Sequence, residues 1–585
     1  MQKRWRIQPH DSALISRMEH SADVPSVVAQ LLSVRGMTQA STATEFLEAK
    51  LSGLRDPELL PGLSQAADLI YEAARDKRRI VVYGDYDADG MTATALLFRC
   101  LRMVGANVGY YVPNRMDEGY GLNDVALQRL ASEGVSQIVS VDCGIASVDE
   151  AITARELGLE LIITDHHQMA DRLPEAAAIV HPMLPGHDYP FESLCGAGVA
   201  FKLAWAICQR VSKSKRVAEP FRNFLLTALG FAAIGTVADV VPLVDENRIL
   251  VKHGLLSLKA RPSIGVECLM RLTGVDKKSQ LGSEDIGFSL APRLNAAGRL
   301  GQAQLGVELL ATENEERAKS LAEYINELNN NRLHLERSIY LSANKQVKER
   351  FAPDDDAALV LADRGWHQGV IGIVAGRLAE KYYRPVVMIA LDELGGKPGT
   401  GSARSAGGLD LHHALAVCSE HLVKHGGHAA AAGLRIDEDK VDAFRAHFCE
   451  HVEQSLTAEA RVAELNIDAE TTLAEMTLGT VQQMERLAPF GQANPRPLLC
   501  TSDVNIQGEP KPMGKGDRHV TLTLEQHGVR LRAVAFNQPE WVQELSDNEG
   551  PLDVAFRPII NEFRGRRTVE LQLVDWRPAR ELAQS

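Results

Sequence analysis

The chain has 585 residues, which is too long for a single hydrophobic core and predicts three or four domains. A hydrophobic content of 45% and a charged content of 24% are typical of an ordinary soluble globular protein. The formal net charge of −14, taken alone, argues weakly against a nucleic-acid partner, although carboxylates gathered around metal ions would account for part of it.

The N-terminal stretch, residues 1–45, is predicted to be a helical segment. Its first residues, MQKRWRIQPHD, are basic, but no apolar region follows them, so no signal peptide is predicted. No run of about 18 apolar residues occurs, so no membrane span is predicted. The eight cysteines are scattered and form no C-x-x-C pair, which favours free thiols in a reducing cytoplasm over a zinc site.

Residues 46–305 are predicted to form an α/β domain with a parallel, doubly wound sheet. Predicted strands alternate with predicted helices, and the strands are IVVYGD, NVGYYVPNR, QIVSVDCG, LELIITDHH and AAIVHPM. Ligands of such sheets collect beyond the carboxyl ends of the strands. Acids and histidines from four segments are expected at that edge: Asp85, Asp87, Asp89, Asp142, Asp165, His166, His167 and Asp239.

The stretch GDYDADG, which carries Asp85, Asp87 and Asp89, begins like the calcium loop of an EF-hand. Such a loop needs a bidentate glutamate at its twelfth position, and here that position is Leu96, so a calcium loop is excluded. An acid before a helix is also a common N-cap. Three alternating acids exceed what a cap needs, and they would repel one another without a cation, so a metal site is favoured.

Oxygen ligands combined with one or two imidazoles suit Mn²⁺ or Mg²⁺. Two such ions would stabilise both the attacking and the leaving oxygen of a phosphoryl displacement. Asp142 ends the central strand and is the natural bridge between two ions. A lone histidine is more often a surface or satisfied core residue, but two in succession at a strand end, beside three acidic segments, favour a site.

Residues 306–352 are predicted to form a connector helix, or two helices, because no glycine or proline occurs from Val307 to Ala352. Residues Leu321, Ile325, Leu328, Arg332, Leu335 and Ile339 recur at helical spacing. A core helix is the alternative, but the length and polarity of the segment favour a connector between two bodies.

Residues 353–455 restart the α/β pattern and include two glycine-rich stretches. GSARS, with Ser402 and Arg404, is predicted to be a loop whose backbone N–H groups could bind an anion. Arg115, Arg293 and Arg299 are further candidates for phosphate contacts, and ordinary salt bridges are the alternative for them. HGGHAAAAGL is typical of close packing of a helix on a sheet and also of close approach of a nucleic-acid backbone, and the two are not exclusive. In the second case His428 would lie near the reacting phosphate and is a catalytic candidate.

Residues 460–585 are predicted to form an all-β module of the oligonucleotide-binding (OB) type, with five strands closed into a barrel. Single-strand binders combine positive grooves with aromatic platforms. The candidate residues for such contacts are Lys511, Lys515, Arg518, Phe563, Arg564, Arg566, Arg567 and Trp576. A solvated hairpin face is the alternative.

VVYGDYDADGMTATALL, VSVDCGIAS, IITDHH and GTVADVVPL together resemble motifs one to four of the DHH phosphoesterase superfamily, over residues 80–245. GSARS and GGHAAAAGL resemble its DHHA1 domain. With PFGQANPRP and the β module added, the chain is similar over nearly its whole length to the single-stranded-DNA-specific exonucleases of the superfamily. Shorter DHH enzymes lack the connector and the β module.

The resemblance implies a set of roles for the site residues. Asp87 and Asp142, with help from Asp85, would hold one metal ion, and Asp89, Asp142, His166 and Asp239 would hold the other. His167 would face the scissile phosphate, and Asp165 would orient its neighbours. Arg293, Ser402 and Arg404 would hold the end phosphate. Tyr83 stands where the pyrophosphatase branch has a histidine, which leaves open the acid that completes the first metal shell.

The implied activity is degradation of single-stranded DNA from the 5′ end to mononucleotides with Mn²⁺ or Mg²⁺, by a monomer acting in recombination and repair. The implied partners are a helicase and a single-strand-binding protein. One alternative is a DHH phosphodiesterase for short oligoribonucleotides or cyclic dinucleotides, against which the connector and the β module argue. Another is a DNA-binding scaffold without metal, against which the intact set of acids and histidines argues.

Overall fold

The computed structural model describes residues 3–115, 118–352 and 356–579. One strand and three helices precede the first α/β domain: β1 Arg4–Ile7, α1 Ser12–Ala22, α2 Ser26–Val34 and α3 Ala40–Glu48. The predicted helical segment 1–45 thus also contains a strand, and its last helix runs past the predicted boundary. Residues 1 and 2 of that segment lie outside the described residues.

Parallel strands form the sheet of the first α/β domain, in the order β3-β2-β4-β5-β6. The strands are short and apolar, and every residue of the central β4 is buried, as expected where helices cover both faces. The elements are α4 Leu63–Arg75, β2 Arg79–Tyr83, α5 Ala88–Met103, β3 Asn107–Tyr111, α6 Asp124–Ser132, β4 Gln137–Val141, α7 Val148–Glu156, β5 Glu160–Thr164 and β6 Ala178–Val180. The predicted parallel sheet is confirmed.

A run of helices completes this domain: α8 Gly196–Ser212, α9 Glu219–Ala238, α10 Asp245–Ala260, α11 Ile264–Thr273, α12 Ser283–Asp285, α13 Ala291–Arg299 and α14 Ala303–Ala311. By length and apolar composition alone α9 could cross a membrane, but core helices of globular proteins pass the same test. Here α9 packs against α5, α8 and α10 in the core of the domain, and 56% of its most apolar stretch of 18 residues is buried.

The connector is a helix of 36 residues, α15 Glu315–Arg350. Residues 306–311 of the predicted connector belong instead to α14, which packs on α5 in the first domain. The first half of α15 buries Leu321 and Ile325 in the core of the first domain, and its second half buries Ile339 in the core of the next one. Leu335, between the two halves, is 37% exposed, so the predicted apolar row is interrupted where the helix passes between the two cores.

The second α/β domain has a mixed sheet in the order β10-β11-β9-β8-β7, in which β7 and β8 are parallel and the other described pairs are antiparallel. The predicted boundary of this domain at residue 353 falls among residues 353–355, which lie outside the described residues. The elements are β7 Leu359–Asp363, α16 Ile371–Tyr382, β8 Val386–Ala390, β9 Gly399–Arg404, α17 Leu411–Val417, β10 Lys424–Gly427, β11 Ala431–Ile436 and α18 Val441–Ser455.

The C-terminal domain is a β-barrel whose five main strands close on themselves: β14 pairs with β18 and β16, and β18, β19, β17 and β16 are neighbours in that order. The predicted five-stranded OB-type module is therefore confirmed; its residues 580–585 lie outside the described residues. The elements are β12 Glu464–Ile467, β13 Ala469–Glu470, α19 Leu478–Glu485, β14 Leu499–Ile506, β15 Lys511–Met513, β16 His519–Gln526, β17 Val529–Ala535, α20 Trp541–Ser546, β18 Leu552–Phe563 and β19 Arg566–Pro578.

The N-terminal segment packs on this C-terminal barrel. Strand β1 pairs in parallel with β12, and Val28, Leu31 and Phe46 share one apolar core with the barrel. Arg248 of α10, which is 1% exposed, joins the segment, the barrel domain and the first α/β domain. Its guanidinium donates hydrogen bonds to the carbonyl oxygens of Phe46, Leu487 and Arg486 at 2.8, 2.7 and 3.1 Å. One buried side chain thus links three parts of the chain.

Candidate metal centre and phosphate pocket

The acidic loop after β2 is a tight turn. A Cβ atom on Gly90 would lie 2.6 Å from the Cβ of Asp85, so only glycine leaves room there. Asp87 is the N-cap of α5, and its Oδ1 accepts hydrogen bonds from the backbone N–H groups of Asp89 and Gly90 at 2.9 and 3.0 Å. The capping role that the sequence offers as an alternative is thus filled by Asp87, and neither Asp85 nor Asp89 is needed as a cap of this helix.

Asp89 is a residue of α5, and its carboxylate lies at the N-terminus of α8. Its two carboxylate oxygens accept hydrogen bonds from the backbone N–H groups of Gly196 and Ala197 at 2.7 and 2.9 Å. A Cβ on Gly196 would lie 2.5 Å from the Asp142 carboxylate, and one on Gly235 would lie 2.2 Å from Asp89 Oδ1. These two glycines make room for the acids, and they are not predictable from the sequence because their neighbours are distant in the chain.

Asp142 follows the central strand in the left-handed region of backbone conformation, with a φ of 62°. Aspartate tolerates that region better than most residues, because its short polar side chain can form local hydrogen bonds. The backbone N–H of Asp142 donates to the carbonyl oxygen of Thr164 at 3.0 Å. The chain turns here at the carboxyl edge of the sheet, and the carboxylate is brought beside the ends of β2 and β5.

Asp165 orients the two histidines that follow it. Its Oδ1 accepts hydrogen bonds from the backbone N–H groups of His166 and His167 at 2.7 and 3.1 Å, and lies 2.8 Å from His167 Nδ1. Its Oδ2 accepts from the backbone N–H of Ile145 at 2.9 Å. With these four partners Asp165 has the supporting position expected for it, and among the described residues it is in none of the candidate ligand groups.

The remaining acids and the two histidines form three overlapping groups of candidate ligands among the described residues. In each group the ligand atoms lie within 4.8 Å of one another: Asp85, Asp87 and Asp142 form the first, Asp89, His166 and Asp239 the second, and Asp142, His166 and His167 the third. His166 Nε2 lies 3.1 Å from Asp142 Oδ1 and 3.5 Å from Asp239 Oδ2. Asp142 thus belongs to the first and third groups and contacts the second through His166. Tyr83 belongs to none of the three: its hydroxyl donates to the carbonyl oxygen of Gly121 at 3.0 Å.

Burial gives these carboxyl groups unusual pKa values. Burial, with Asp87 as the next cause, raises the pKa of Asp85 to about 8, and burial, with Asp89, raises that of Asp239 to about 8. Burial and neighbouring acids also raise the pKa of Asp142. Oδ1 of Asp85, Oδ1 of Asp142 and Nε2 of His166 are buried without a hydrogen-bond partner among the described residues. These two oxygens and the imidazole nitrogen lack hydrogen-bond partners and belong to neighbouring ligand groups. They therefore fit divalent cations that favour oxygen and nitrogen donors.

The two histidines differ in their electrostatics. Burial lowers the pKa of His166 to about 4, so its ring is neutral at pH 7 and one of its nitrogens has the lone pair that a metal ligand needs. Burial, the largest single cause, would lower the pKa of His167. The hydrogen bond to Asp165 and the negative charges of Asp165, Asp239 and Asp85 together outweigh it and raise that pKa to about 9. His167 is therefore cationic at neutral pH. Its Nδ1 also lies 3.0 Å from the hydroxyl of Tyr120, and its side chain is 38% exposed.

A cavity of about 310 Å³ joins the first ligand group to a set of basic side chains. Its lining is Asp85, Tyr86, Asp87, Arg115, Tyr120, His167, Ala238, Asn295 and Arg299. Tyr120 and Asn295 are not among the residues predicted from the sequence. The position of Asn295 between Arg293 and Arg299 is the one signal that could have indicated it, and its Oδ1 accepts a hydrogen bond from the backbone N–H of Ala88 at 2.9 Å.

Arg115, Arg299 and Arg404 have no carboxylate ion-pair partner among the described residues. Arg115 lies over the ring of Tyr86, 5.0 Å from its centroid, and Arg299 donates to the carbonyl oxygen of Gly369 at 3.1 Å. Burial and the neighbouring Arg115, Arg332 and Arg404 lower the pKa of Arg299 to about 10. The salt bridges offered as the alternative for Arg115 and Arg299 are therefore not formed in the described part of the chain, and these charges are available to an anion.

The prediction that Arg404 lies on a loop is wrong. GTGSAR forms β9, because its backbone pairs with β8 on one side and β11 on the other. Arg404 Nη1 donates to Ser402 Oγ at 3.1 Å, and both side chains lie at the start of α16, where a Cβ on Gly372 would approach them within 3.0 Å. The two predicted residues are thus together, held by a strand rather than by a nest of loop N–H groups.

Ser402 and Arg404 are not part of the cavity lining, and neither are two further predicted residues, Arg293 and His428. Arg293 directs its guanidinium to the connector, donating to Asn326 Oδ1 at 2.9 Å and to the carbonyl oxygen of Ser289 at 2.6 Å. His428 lies in the exposed turn between β10 and β11, because HGGHAAAAGL folds as a hairpin. Apart from Gly426 and its two chain neighbours, no heavy atom of the described chain lies within 4 Å of a Cβ placed on Gly426, so no described helix packs there.

The predicted nucleic-acid contacts of the barrel divide by exposure. The basic residues Lys511, Lys515, Arg518, Arg564, Arg566 and Arg567 are exposed, on the β15–β16 and β18–β19 hairpins. Phe563 is 66% exposed, and the Arg564 guanidinium lies 5.1 Å from the centroid of its ring. Trp576 is half-buried and packs against the barrel core, so the structure does not present it as an exposed platform for bases.

Family models match three parts of the chain: the N-terminal domain of the DHH family over residues 79–233, the DHHA1 domain over residues 355–454 and the RecJ OB domain over residues 467–575. They account for both α/β domains and for the barrel.

Similar proteins extend over nearly the whole chain. The single-stranded-DNA-specific exonuclease RecJ of Dickeya dadantii is 38% identical over 94% of this chain and 95% of its own length. That of Escherichia coli K12 is 36% identical over 95% of this chain and 97% of its own length. The crystal structure of RecJ from Thermus thermophilus in complex with Mn²⁺ has a TM-score of 0.83 at 31% identity, covering 99% of this chain and 80% of that one.

Proposed function

This chain belongs to the RecJ family of single-stranded-DNA-specific exonucleases, and we propose that it hydrolyses single-stranded DNA from the 5′ end to mononucleotides. The observation that carries the proposal is the cavity in which Asp87 and Asp85, whose Oδ1 has no hydrogen-bond partner, line the same space as Arg115 and Arg299, which lack carboxylate partners in the described chain. A phosphodiesterase for short oligoribonucleotides or cyclic dinucleotides is not favoured, since the similarity to RecJ covers the connector and the barrel as well.

The cofactor is a divalent metal ion, and we assign it as two ions of Mn²⁺ or Mg²⁺. Asp85, Asp87 and Asp142 would hold one ion, and Asp89, His166 and Asp239, with Asp142 shared, would hold the other. Asp85 is thus our choice for the ligand that replaces a histidine, because Tyr83 points away. When bound, the ions would supply positive charge to offset the negative charge that develops on the reacting phosphate.

The side chains of the protein position the substrate. The imidazolium of His167, held by Asp165 and Tyr120, would bind a non-bridging oxygen of the scissile phosphate. Arg115, Arg299, Ser402 and Arg404 would bind the terminal phosphate. Because arginines and carboxylates line one cavity, a bound end phosphate would present the next phosphodiester to the carboxylates, and one nucleotide would leave per cycle. Arg293 would support this pocket from α13.

We propose that the strand continues over the second domain and the barrel. Gly426 and Gly433 pair across β10 and β11, and Gly433 pairs with Ser402, which leaves an open strip for a phosphate backbone beside the pocket. His428 lies in the turn of that hairpin, so it would contact the DNA only along this glycine strip. The exposed basic hairpins of the barrel and Phe563 would hold more distant nucleotides.

We further propose that the enzyme is a monomer in the cytoplasm and acts in recombination and repair with a helicase and a single-strand-binding protein. All eight cysteines are free, and seven are buried, which fits a reducing compartment.

The test of the proposed activity compares four substrates in Mn²⁺: single-stranded DNA labelled at the 5′ end, the same strand labelled at the 3′ end, its duplex, and RNA of the same sequence. The expected result is immediate release of labelled mononucleotide from the 5′-labelled strand, gradual shortening of the 3′-labelled strand, and little hydrolysis of duplex or RNA. Release of mononucleotide first from the 3′ label would overturn the polarity.

Arg404→Gln should remove recognition of the end phosphate. A charge-assisted hydrogen bond is worth about 1.5–3 kcal/mol, so kcat/KM on a 5′-phosphorylated strand should fall roughly tenfold to a hundredfold. The rate on a 5′-hydroxyl strand should change little, because that substrate never had the contact. Lys397→Gln, an exposed change in the same domain, is the matched control. An unchanged ratio of the two rates would contradict the assignment.

Strand binding should weaken with salt. About five phosphate contacts give a slope of about −3.5 for log K against log salt, hence roughly a hundredfold loss of affinity between about 50 and 200 mM. Changing Lys511, Lys515 and Arg518 together to glutamine should reduce that slope by about 2 for long strands and leave hydrolysis of trinucleotides near the parental rate. Lys319, Lys345 and Lys348, exposed on α15, form the matched triple control. If the triple variant of Lys511, Lys515 and Arg518 kept the parental slope of log K against log salt, these residues would not be phosphate contacts.

A further inference from the structure

A second group of metal-ligand side chains lies on the second α/β domain, among residues that take no part in the proposed hydrolysis. Glu420 and His421 belong to a single helical turn, Ser419–His421, between α17 and β10, and His447 lies on α18. The three donor atoms approach closely: Glu420 Oε1 is 3.6 Å from His421 Nε2 and 3.5 Å from His447 Nδ1, and the two nitrogens are 3.3 Å apart.

These distances are those of one face of a zinc coordination shell. Zinc binds histidine nitrogen and carboxylate oxygen at about 2.0–2.2 Å in tetrahedral geometry, which places neighbouring ligand atoms about 3.3–3.6 Å apart. The observed triangle of 3.3, 3.5 and 3.6 Å has that size without any rearrangement. A hydrogen bond between the imidazoles of His421 and His447 would account for the 3.3 Å between their nitrogens. It would not account for the carboxylate oxygen of Glu420, which lies at nearly equal distances from both nitrogens.

The donor types select the metal. Two imidazoles with one carboxylate suit Zn²⁺, whereas the carboxylate-rich groups in the cavity suit Mn²⁺ or Mg²⁺. The side chains of His421, His447 and Glu420 are 18%, 32% and 70% exposed, so an ion could enter from solvent and keep a water as fourth ligand. His451 lies one helical turn beyond His447 on α18, and the centroid of its ring is 5.8 Å from that of His413. Two further imidazoles therefore lie near the solvent-exposed side of this group.

We propose that Glu420, His421 and His447 bind one Zn²⁺ ion, separate from the metal centre of the hydrolytic cavity. The ion would join the turn 419–421 to α18. That turn leads directly into β10, so the bound ion would fix the base of the β10–β11 hairpin on the domain core. The site is structural, and no substrate contact is assigned to it.

The test is equilibrium dialysis of the full-length protein against Zn²⁺ in excess Mg²⁺, with the zinc content counted per chain. The parent protein should bind one Zn²⁺ more than His447→Ala and one more than His421→Gln, because loss of a ligand should weaken the site by about a hundredfold or more. His412→Ala, an exposed histidine of α17 outside the group, should bind as much as the parent. Zinc bound in the cavity is common to all four proteins and cancels in the comparison.

A second measurement locates the ion. Crystals of the zinc-loaded parent should give an anomalous peak at the zinc absorption edge between the three side chains, and crystals of His447→Ala should not. Equal zinc content in the parent and in both ligand variants would overturn the proposal, as would an equal loss in His412→Ala. Absence of the anomalous peak in zinc-loaded parent crystals would also overturn it.

Discussion

Asp142→Asn should lower the rate of strand hydrolysis at least about a thousandfold and leave the affinity for single-stranded DNA close to that of the parent. A thousandfold corresponds to about 4 kcal/mol of lost transition-state stabilisation. Asp142 shares a ligand group with Asp85 and Asp87 and lies 3.1 Å from His166, which shares a group with Asp89 and Asp239, so the change affects both metal sites. Asparagine is preferred to alanine here because the backbone φ is 62°, a conformation that asparagine also tolerates.

Two measurements separate this effect from misfolding. Single-turnover hydrolysis of a 5′-phosphorylated strand in Mn²⁺ gives the rate, and fluorescence anisotropy without metal gives the affinity. Asp149→Asn, which removes one exposed charge from α7 of the same domain, should keep the parental rate. Hydrolysis by Asp142→Asn within tenfold of the parent would exclude Asp142 as the ligand shared by the two ions.

Arg248→Met should lower the stability of the protein by about 3–5 kcal/mol. Methionine fills similar volume but removes the donor to the carbonyl oxygens of Phe46 and Arg486, and each such group costs about 1–3 kcal/mol. The carbonyl oxygen of Leu487 loses one of two donors, since Asn494 Nδ2 also donates to it at 2.8 Å. The guanidinium also packs on the ring of Phe46, 3.8 Å from its centroid. Burial lowers the pKa of Arg248 to about 9, so much of the benefit of its charge is already offset by desolvation.

Thermal unfolding with limited proteolysis measures this effect. The first transition should fall by several degrees, and the N-terminal segment should become the first site of cleavage, because the link through Arg248 between this segment and the other two parts is lost. Arg261→Met, at the exposed end of the same helix, is the matched control and should unfold like the parent. A first transition within one degree of the parent would contradict this prediction, because the carbonyl oxygens of Phe46 and Arg486 would then be hydrogen-bonded to water in the variant.

Local patterns predict most of the regular elements of this chain. The strands of the first domain alternate with helices, and the carboxyl ends of parallel strands share an edge, so Asp85, Asp142 and His166 can be placed together from the sequence. The alternation of apolar and polar residues after residue 464 predicts the barrel. The pairing of β14 with β16 closes it with five strands, as predicted. The resemblance to a known superfamily supplies the roles of individual residues, which composition and spacing leave open.

Contacts between distant segments are not predictable in the same way. Glycine disfavours strands, so GTGSAR is expected to be a loop, but pairing with β8 and β11 outweighs that preference. An exposed ring is expected at Trp576, yet this side chain packs against the barrel core. The roles of Gly196 and Gly235 depend on acids about 50 to 150 residues away, and no local pattern reports such a neighbour.

The pairing of β1 with β12 has a consequence for biosynthesis. Arg4 is opposite Glu464, so about 460 residues separate the two strands in the chain. At about 5–20 residues per second, a ribosome needs roughly 25–90 seconds to reach the partner of β1 after making it. During that time the apolar faces of α1 to α3 have no barrel to pack on. The nascent chain therefore exposes its earliest segment longest, and this interval is when a chaperone would be needed most.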